Sequence, residues 1–370
     1  MITTINEAAN NVHKPTFLRL KYDAEHTIFS NLRNDFNIEF CDSIETQLLE
    51  LLACRNPSLS KDEILSLNMI PEHLSLHGET LHTYGVWVYY PWKRQLVHIL
   101  DEEEFIEVRT NRNKYKITQE EQDLLRTKKI GIIGLSVGRA VATTIALERI
   151  AGEIRLADFD DIELSNLNRI NAPLAEMGKN KSVSAAQEIA ELDPYIKVTC
   201  YVEGYTEDNA DDFFCKDGKI DLLVEECDDI RVKIEARLKA REQRVPVIME
   251  TNDNCIIDVE RYDLDLELEI FNGKLSGDEI KEAIRAESLM EKTAVLTKLF
   301  NFQKITDRMK DSIPEFGKTV LSWPQLGSEV IYGSGVTVAL VRMMLLGQLK
   351  QIEREYFGIE RHLKQRKIIK

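Results

Sequence analysis

Residues 128–160 read KKIGIIGLSVGRAVATTIALERIAGEIRLADFD, and this stretch decides the fold. A short apolar run ends at Gly134, an apolar-periodic segment covers Val137–Ile150, and a second run, EIRLADFD, follows. Short apolar runs bounded by glycine predict strands, whereas apolar residues three and four apart predict a helix. Strand, helix and strand in this order predict parallel strands joined by a right-handed crossover.

The same alternation continues to about residue 250. Two more helices are predicted, at Ser182–Leu192 and Ile230–Gln243, and three more strands, KVTCYV, IDLLVEEC and VPVIME. We therefore expect an α/β fold with a doubly wound, mainly parallel sheet. Ligands of such sheets bind at the carboxyl ends of the strands, so the loops after Ile133, Ala157 and Glu226 should meet in one crevice.

The N-terminal part has a different pattern. Residues 1–105 predict a separate α+β domain of unknown role, with a helix at Ser43–Cys54. Two alternating segments, Tyr84–Tyr90 and Gln95–Leu100, flank PWKR and predict a hairpin. Three histidines of this region, His73, His77 and His82, are expected to face solvent because Pro71 and Gly78 argue against a regular helix.

The part beyond residue 265 is acidic and helical in pattern. Residues 266–330 are interpreted as an insertion or crossover region. Residues 331–370 predict a packing helix from Val336 to about Tyr356 and an exposed basic tail, RHLKQRKIIK. The nucleotide-binding core is therefore expected at 106–265.

Composition narrows the possible classes of protein. No apolar run approaches the roughly 18 residues of a membrane span, and MITTINEAANNVHKP lacks a signal-peptide core, so we expect a cytoplasmic protein without membrane contact. The formal charge of -15 argues against a broad nucleic-acid-binding face. Six cysteines without a C-x-x-C pair indicate neither a disulfide framework nor a structural zinc site.

The loop after the first core strand carries the residue types of a phosphate site. Gly134, Ser136 and Gly138 are small enough for backbone N–H groups and a helix N-terminus to approach an anion. A dinucleotide fingerprint that begins at Gly134 would have glycine at positions 136 and 139, where serine and Arg139 stand. An NAD(P)-dependent oxidoreductase remains the alternative. Asp158 ends the second strand. Its carboxylate can accept hydrogen bonds from ribose hydroxyls, whether the ligand is NAD(P) or ATP.

The segment after Asp158 distinguishes a nucleoside triphosphate ligand from a dinucleotide ligand. It places acids, short polar side chains and an arginine together, among them Asp160, Ser165, Asn166 and Arg169. Serine and asparagine donate to phosphate oxygens, and the planar guanidinium offers bidentate contacts to phosphate. These residues favour a triphosphate over a dinucleotide.

The pattern D-x-D-x-x-x-x-S-N-L-x-R after a glycine loop resembles the ThiF/MoeB/ubiquitin-activating superfamily over roughly residues 110 to 265. The resemblance implies a Rossmann-like ThiF fold and an ATP-dependent adenylyltransferase that forms an acyl-adenylate and releases pyrophosphate. The acceptor would be the C-terminal glycine of a small protein or peptide, or a small carboxylate. Segments such as GLSVG and SWPQL are similar to a bacterial branch that is sometimes fused to a nitroreductase-like domain, but no flavin-domain pattern is evident here.

The resemblance also implies roles for two charged residues beyond this segment. Gly178-Lys-Asn-Lys181 is similar to the G-x-x-K of the family, so Lys181 is expected at the phosphates, with Lys179 as the competing choice. The run LLVEECDDIR resembles the family strand that ends in a metal-binding aspartate. Asp228 is therefore expected to hold Mg²⁺, with Asp229 as its rival.

Two further assignments follow from the resemblance. Arg112 in NRNKYKIT stands where the family carries an arginine that reaches the ATP of the partner subunit, which implies a homodimer; Arg109 is the rival. Some members pass the acyl group to a cysteine, for which Cys255 is the best candidate, although a packing role is the other interpretation. The expected catalytic set is Arg169, Lys181, Asp228 and Arg112, and a non-catalytic nucleotide-binding scaffold is a second alternative.

Overall fold

The computed structural model describes residues 13–286, 288–299, 303–321, 323–350, 353–359 and residue 363. The chain forms two compact units, Met1–Gln122 with Ala190–Tyr195, and Asp123–Ile189 with Ile196–Lys370. The predicted basic tail, 361–370, lies outside the described residues apart from Leu363.

The first unit is a four-stranded sheet with helices. Its strands are β1 Thr16–Leu18, β2 Glu39–Asp42, β3 Val86–Tyr90 and β4 Gln95–Ile99, in the order β1-β3-β4-β2. Its helices are α1 Asp23–Arg33, α2 Ile44–Arg55, α3 Lys61–Ser66, α4 Met69–His77, α5 Glu102–Arg109 and α6 Gln119–Leu125, of which the last runs into the second unit. The predicted hairpin and the predicted helix at Ser43–Cys54 are confirmed by β3, β4 and α2.

The prediction of an irregular segment around His73 is wrong. Pro71 is the third residue of α4, within the first turn, whose N–H groups have no partner inside the helix. Gly78 then ends the helix with φ 66°, a conformation that suits glycine. His73 packs inward and its Nε2 lies 2.7 Å from the Tyr84 hydroxyl. His77 is exposed, as expected.

The second unit is built on a seven-stranded sheet in the order β11-β10-β9-β8-β5-β6-β7. The strands are β5 Lys129–Ile133, β6 Glu153–Ala157, β7 Lys197–Tyr201, β8 Leu222–Glu225, β9 Val247–Thr251, β10 Ile256–Glu260 and β11 Arg354–Tyr356. The five strands from β9 to β7 are parallel, while β10 and β11 pair antiparallel. The predicted α/β, doubly wound and mainly parallel sheet is confirmed.

The chain order places one strand pair at the centre of the sheet. From β5 the chain moves to β6 and β7 on one side, and later from β8 to β9 and β10 on the other. The sheet therefore changes winding direction between β5 and β8, where ligand crevices form. The helices that follow these strands are α7 Gly138–Glu148, α8 Lys181–Leu192, α9 Ala210–Cys215 and α10 Ile230–Glu242.

The C-terminal part is helical, as predicted, but its last helix is shifted. The helices are α11 Gly277–Arg285, α12 Leu289–Leu299, α13 Asp307–Ser312 and α14 Gly327–Leu345. The predicted helix from Val336 to Tyr356 is wrong at both ends, since α14 begins nine residues earlier and Tyr356 belongs to β11. Helix α14 continues through Gly333. A Cβ at this position would lie 2.6 Å from the Glu250 side chain, so the glycine allows close packing.

By length and composition alone, α14 is apolar enough to cross a membrane, with a mean hydropathy of 1.2. In the structure it packs against α7 and β9, and 44% of the stretch is buried in the protein. Buried core helices of globular proteins meet the same criterion, so this helix is weak evidence of a membrane span.

Candidate active site

Backbone hydrogen bonds bring the loops after β5, β6 and β8 together. Gly134 donates to the Ala157 carbonyl over 2.9 Å, and Glu226 donates to the Ile133 carbonyl over 2.8 Å. Gly134 has φ 85°, and a Cβ there would lie 2.6 Å from the backbone nitrogen of Cys227. The glycine is therefore required by its own backbone angle and by the adjacent loop.

Asp158 connects two of these loops. One carboxylate oxygen accepts the Leu135 N–H over 2.6 Å, and the other accepts the Asp160 N–H over 2.8 Å. Burial raises the pKa of the Asp158 carboxyl, while the nearby Lys181 and the two N–H groups oppose that rise. An ionised carboxylate has about four lone-pair positions, so both oxygens keep acceptor capacity.

Arg169 is positioned by oxygen atoms of the glycine loop and of its own segment. Its Nε donates to the Ser136 hydroxyl over 3.0 Å, and its NH1 group donates to the Ser165 carbonyl and the Asn168 side chain. Partial burial lowers the pKa of Arg169, and the negative charge of Asp228 opposes this shift. The guanidinium therefore lies within electrostatic range of the β8 loop.

The two candidate lysines have different partners. Lys181 is the first residue of α8, and its Nζ lies 2.7 Å from Oδ2 of Asp160, a half-exposed carboxylate. Lys179 donates instead to the Gln187 side chain over 2.8 Å and pairs with Glu176 at 3.4 Å. Lys181 thus adjoins the loops described above, whereas the described contacts of Lys179 hold it to Glu176 and to α8.

The two candidate aspartates also differ. Asp229 is the N-cap of α10, because its Oδ1 accepts the N–H groups of Arg231 and Val232. Asp228 is open to solvent, but the protein around it displaces bulk water and raises the pKa of its carboxyl. The cations Lys233, Arg169 and Lys181 oppose that rise.

The remaining predicted site residues belong to different units of the chain. Gly138 begins α7, where a Cβ would lie 2.8 Å from the Ile132 side chain. Asn166 is buried and its Oδ1 accepts the Glu163 N–H over 3.0 Å, while Ser165 is exposed. Arg112 and its rival Arg109 belong to the first unit, so their role at this site stays a prediction.

Arg139, which occupies a glycine position of the dinucleotide fingerprint, has a structural explanation. Its Nε lies 2.7 Å from the Glu188 carboxylate, and its NH1 donates to the Ser184 hydroxyl over 2.7 Å. The buried guanidinium therefore binds α7 to α8.

Cys255 is a buried thiol just before β10. Burial, with smaller contributions from the carboxylates of Glu250 and Glu226, raises its pKa to about 12. The thiolate is the nucleophilic form of cysteine, so this environment opposes nucleophilic attack by Cys255. Its predicted role as an acyl carrier stays a prediction.

A buried ionic network behind Asp228 was missed from the sequence. Lys233 and Arg237 of α10 both contact the Glu225 carboxylate, at 3.0 and 2.5 Å, and Arg237 also contacts Glu260 of β10 at 2.7 Å. Although burial opposes ionisation, the two cations lower the pKa of Glu225 to about 2. Helical periodicity at 233 and 237 was the available signal, because cations one turn apart share a face.

A cavity of about 80 Å³ adjoins Asp228, and Lys233 of the ionic network is among its lining residues. Its polar wall includes Glu226 at the end of β8 and Glu250 on β9, neither of which was predicted as a site residue. Its apolar wall includes Leu296 of α12, Met309 of α13 and Trp323. Within the described ranges, no group of three or more His, Cys, Asp or Glu side chains could hold a metal ion.

Residues 109–251 match the ThiF family, and this part of the chain is a ThiF-family domain. Uncharacterized protein MT1398 of Mycobacterium tuberculosis (strain CDC 1551 / Oshkosh) is 36% identical over 324 residues, which cover 87% of this chain and 42% of that protein.

Two further relatives have named activities. The tRNA threonylcarbamoyladenosine dehydratase of Bacillus subtilis (strain 168) is 29% identical over 140 residues, which cover 37% of this chain and 54% of that protein. Ubiquitin-like modifier-activating enzyme 5 of Caenorhabditis elegans is 26% identical over 132 residues, or 33% of this chain and 31% of that protein. The chain therefore spans about half or less of the length of these relatives.

Proposed function

We propose that this protein binds ATP at the meeting point of the three loops and transfers AMP to a carboxylate, with release of pyrophosphate. The observation that carries the proposal is that Arg169 contacts Ser136 of the glycine loop and Lys181 contacts Asp160, while the charges of both cations act on the exposed Asp228. The ThiF-family match and the relative named as a modifier-activating enzyme support the same chemistry.

The proposed reaction needs no general base. A carboxylate oxygen attacks the α-phosphorus, the new O–P bond forms, and the bond to the bridging oxygen of pyrophosphate breaks. A terminal carboxyl ionises near pH 3.5, roughly, so the nucleophile is already an anion at neutral pH. Catalysis then consists of alignment and charge neutralisation, for which Arg169 and Lys181 supply the protein cations.

The nucleotide would replace existing contacts when it binds. The Lys181 ammonium pairs with the half-exposed Asp160 carboxylate, a pair that a phosphate oxygen can displace. The free acceptor positions of Asp158 suit ribose hydroxyls.

The donor set also suits Mg²⁺. Proteins bind this ion through one or two carboxylates and substrate phosphates, and it would neutralise charge on the departing pyrophosphate. Asp228 would be the protein ligand. Asp229 is a weaker candidate because it caps α10.

One alternative fits the site less well, and a second is distinguished by pyrophosphate exchange. For an NAD(P)-dependent oxidoreductase, the Ser136 hydroxyl accepts from Arg169 and the Arg139 side chain binds α8, so neither fingerprint position offers the open backbone that a dinucleotide uses. A non-catalytic scaffold would bind ATP without exchanging pyrophosphate. The homodimer, the ubiquitin-like or peptide acceptor and the cytoplasmic location remain proposals.

Equilibrium binding of Mg-ATP and isotope exchange between ATP and pyrophosphate test the function. We expect Arg169→Ala and Lys181→Ala to weaken ATP binding about tenfold or more, since each removes a charge-assisted phosphate contact. Asp228→Asn should reduce exchange far more than binding. The matched controls Lys179→Ala and Asp229→Asn should bind ATP like the wild type. Unchanged ATP affinity in both Arg169→Ala and Lys181→Ala would refute the site assignment.

A further inference from the structure

The cavity beside Asp228 contains buried acceptor atoms without donors. Both carboxylate oxygens of Glu250 and the Oδ1 atom of Asn252 are buried and have no hydrogen-bond partner among the described residues. Residue Glu250 is 5% exposed and residue Asn252 is 9% exposed. Buried polar atoms without partners are costly, so their persistence at a cavity points to a missing donor.

Most of the titratable groups that line the cavity are acidic. Glu226, Asp228, Glu250 and Asp253 line it, and Lys233 is its cationic lining residue within the described chain. The Lys233 ammonium already contacts both oxygens of Glu225, at 3.0 and 3.1 Å. The lining therefore carries an excess of acidic groups over cations.

Backbone groups fix the positions of the two glutamates. Glu226 accepts the backbone N–H of Glu250 over 3.1 Å, which sets the ends of β8 and β9 against each other. On the other side, Gly333 of α14 packs so closely against the Glu250 carboxyl that a Cβ would lie 2.6 Å from it. The backbone on both sides thus restricts where the Glu250 carboxyl can move.

The opposite wall is apolar. Leu296, Ile305, Met309, Trp323 and Pro324 line it. The Asn168 side chain, next to Arg169, donates to the backbone carbonyl of Gln325 over 2.7 Å. This hydrogen bond connects the segment that carries Arg169 to the apolar wall. A ligand here would meet hydrocarbon on one side and acceptor oxygens on the other.

We propose that this cavity binds the protonated amino group of the carboxylate substrate, so that the acceptor is an amine-bearing carboxylic acid, free or as the last residue of a peptide. The ammonium donates to Glu250, Glu226 and Asn252, and the alkyl chain lies along the apolar wall. The carboxylate of the same molecule then reaches the nucleotide side of Asp228. This substrate class rests on the proposed adenylation at that site.

A matched series of acids tests the inference. The probes are 4-aminobutanoate, 5-aminopentanoate and 6-aminohexanoate, compared with butanoate, pentanoate and hexanoate. Calorimetric binding without ATP and pyrophosphate exchange with ATP are measured for each acid. We expect the best aminated acid to exceed its amine-free partner by about tenfold or more in both, because an ammonium forms stronger hydrogen bonds than a neutral donor.

Variants of the cavity residues and a control variant on α10 locate the effect. Glu250→Gln and Glu226→Gln should each reduce the preference for the aminated acid to less than about threefold, while ATP binding stays at the wild-type level. Glu242→Gln, the same change on the exposed end of α10, should keep the full preference. Should Glu250→Gln fail to fold by its thermal melt, Glu226→Gln and Asn252→Leu repeat the comparison.

The outcomes separate the two proposals. Equal binding of aminated and amine-free acids by the wild type, or a preference that survives in the cavity variants, would overturn the cavity assignment and leave water as its occupant. Binding of the aminated acids without any pyrophosphate exchange would support the cavity while refuting adenylation. Loss of ATP binding concerns the adenylation proposal alone.

Discussion

Two glycines with similar backbone angles show what the glycine loop requires. Gly134 and Gly347 have φ of 85° and 67°, which glycine adopts readily. A Cβ at Gly347 would meet nothing within 4 Å, whereas at Gly134 it would contact the backbone of Glu226 and Cys227 at 2.6–2.7 Å. The constraint at Gly134 therefore comes from the approach of the β8 loop as well as from its own backbone.

Gly134→Ala should separate the loops of the site. We expect a loss of about 1–3 kcal/mol from backbone strain, a further loss from the collision, and at least about tenfold weaker ATP binding. Gly347→Ala introduces comparable strain without the collision, so its loss of stability should be smaller and its ATP affinity unchanged. Chemical denaturation and ATP titration measure both quantities; equal effects of the two changes would show that the close approach is unimportant.

At the level of single residues, the sequence indicated candidate side chains for the proposed chemistry, but not the residues that contact them. Asp158 was singled out because it ends a strand, and Arg169 because it follows in a segment of phosphate-binding residue types. Lys181 and Asp228 were assigned from the resemblance to the ThiF/MoeB/ubiquitin-activating superfamily. Glu250 could not be found in this way. Its significance depends on Gly333 packing against it, a contact between residues 83 positions apart.

At the level of elements, buried salt bridges connect α10 to the sheet. Lys233 and Arg237 meet Glu225 and Glu260, so two cations face two carboxylates with no exposed surface on Glu225, Arg237 or Glu260. The network lies directly behind the loop that carries Asp228. The Glu225 carboxylate also accepts the Cys227 N–H over 2.9 Å, which connects the charged network to that loop.

Removing one cation from this network should be severe. Lys233→Met leaves the Glu225 charge partly uncompensated, and breaking a buried pair in this way costs about 3–5 kcal/mol. Lys216→Met removes an exposed pair with Asp212 and should cost less than about 1 kcal/mol. Urea denaturation of both variants measures the loss in free energy of unfolding. Similar losses in the two variants would mean that the buried network adds no stability.

Element boundaries illustrate a limit of sequence patterns. The helices after β5 and β8 were predicted to within two residues because their apolar periodicity is regular. The predicted start of α14 at Val336 left out Gly327 and Gly333, which belong to the helix and let it approach neighbouring groups. Strand β11 was missed since its pairing with β10 joins residues about 100 positions apart.

At the scale of the whole molecule, the buried acids affect how stability depends on pH. Burial, and then the Glu329 carboxylate, raise the pKa of Glu250 to about 8, against an ordinary value near 4.5. The folded state therefore keeps a proton that the unfolded state releases. The stability contributed by this proton is complete below about pH 4.5 and is lost as pH rises toward 8.

The free energy of unfolding should report this proton. We expect the wild type to lose stability relative to Glu250→Gln as pH is raised from 5 to 8.5, with Glu242→Gln following the wild type. Thermal melts or urea denaturation across this range measure the difference. A wild-type curve parallel to that of Glu250→Gln would mean that Glu250 is ionised in the folded protein throughout.

Asp228 borders both the nucleotide loops and the cavity, and this position has a thermodynamic consequence. A single carboxylate whose charge both ligands feel couples their binding free energies. Whatever factor ATP applies to the affinity for an amine-bearing acid, the acid must apply to the affinity for ATP. Measuring the affinity for ATP with and without the acid should therefore give the same factor as measuring the affinity for the acid with and without ATP.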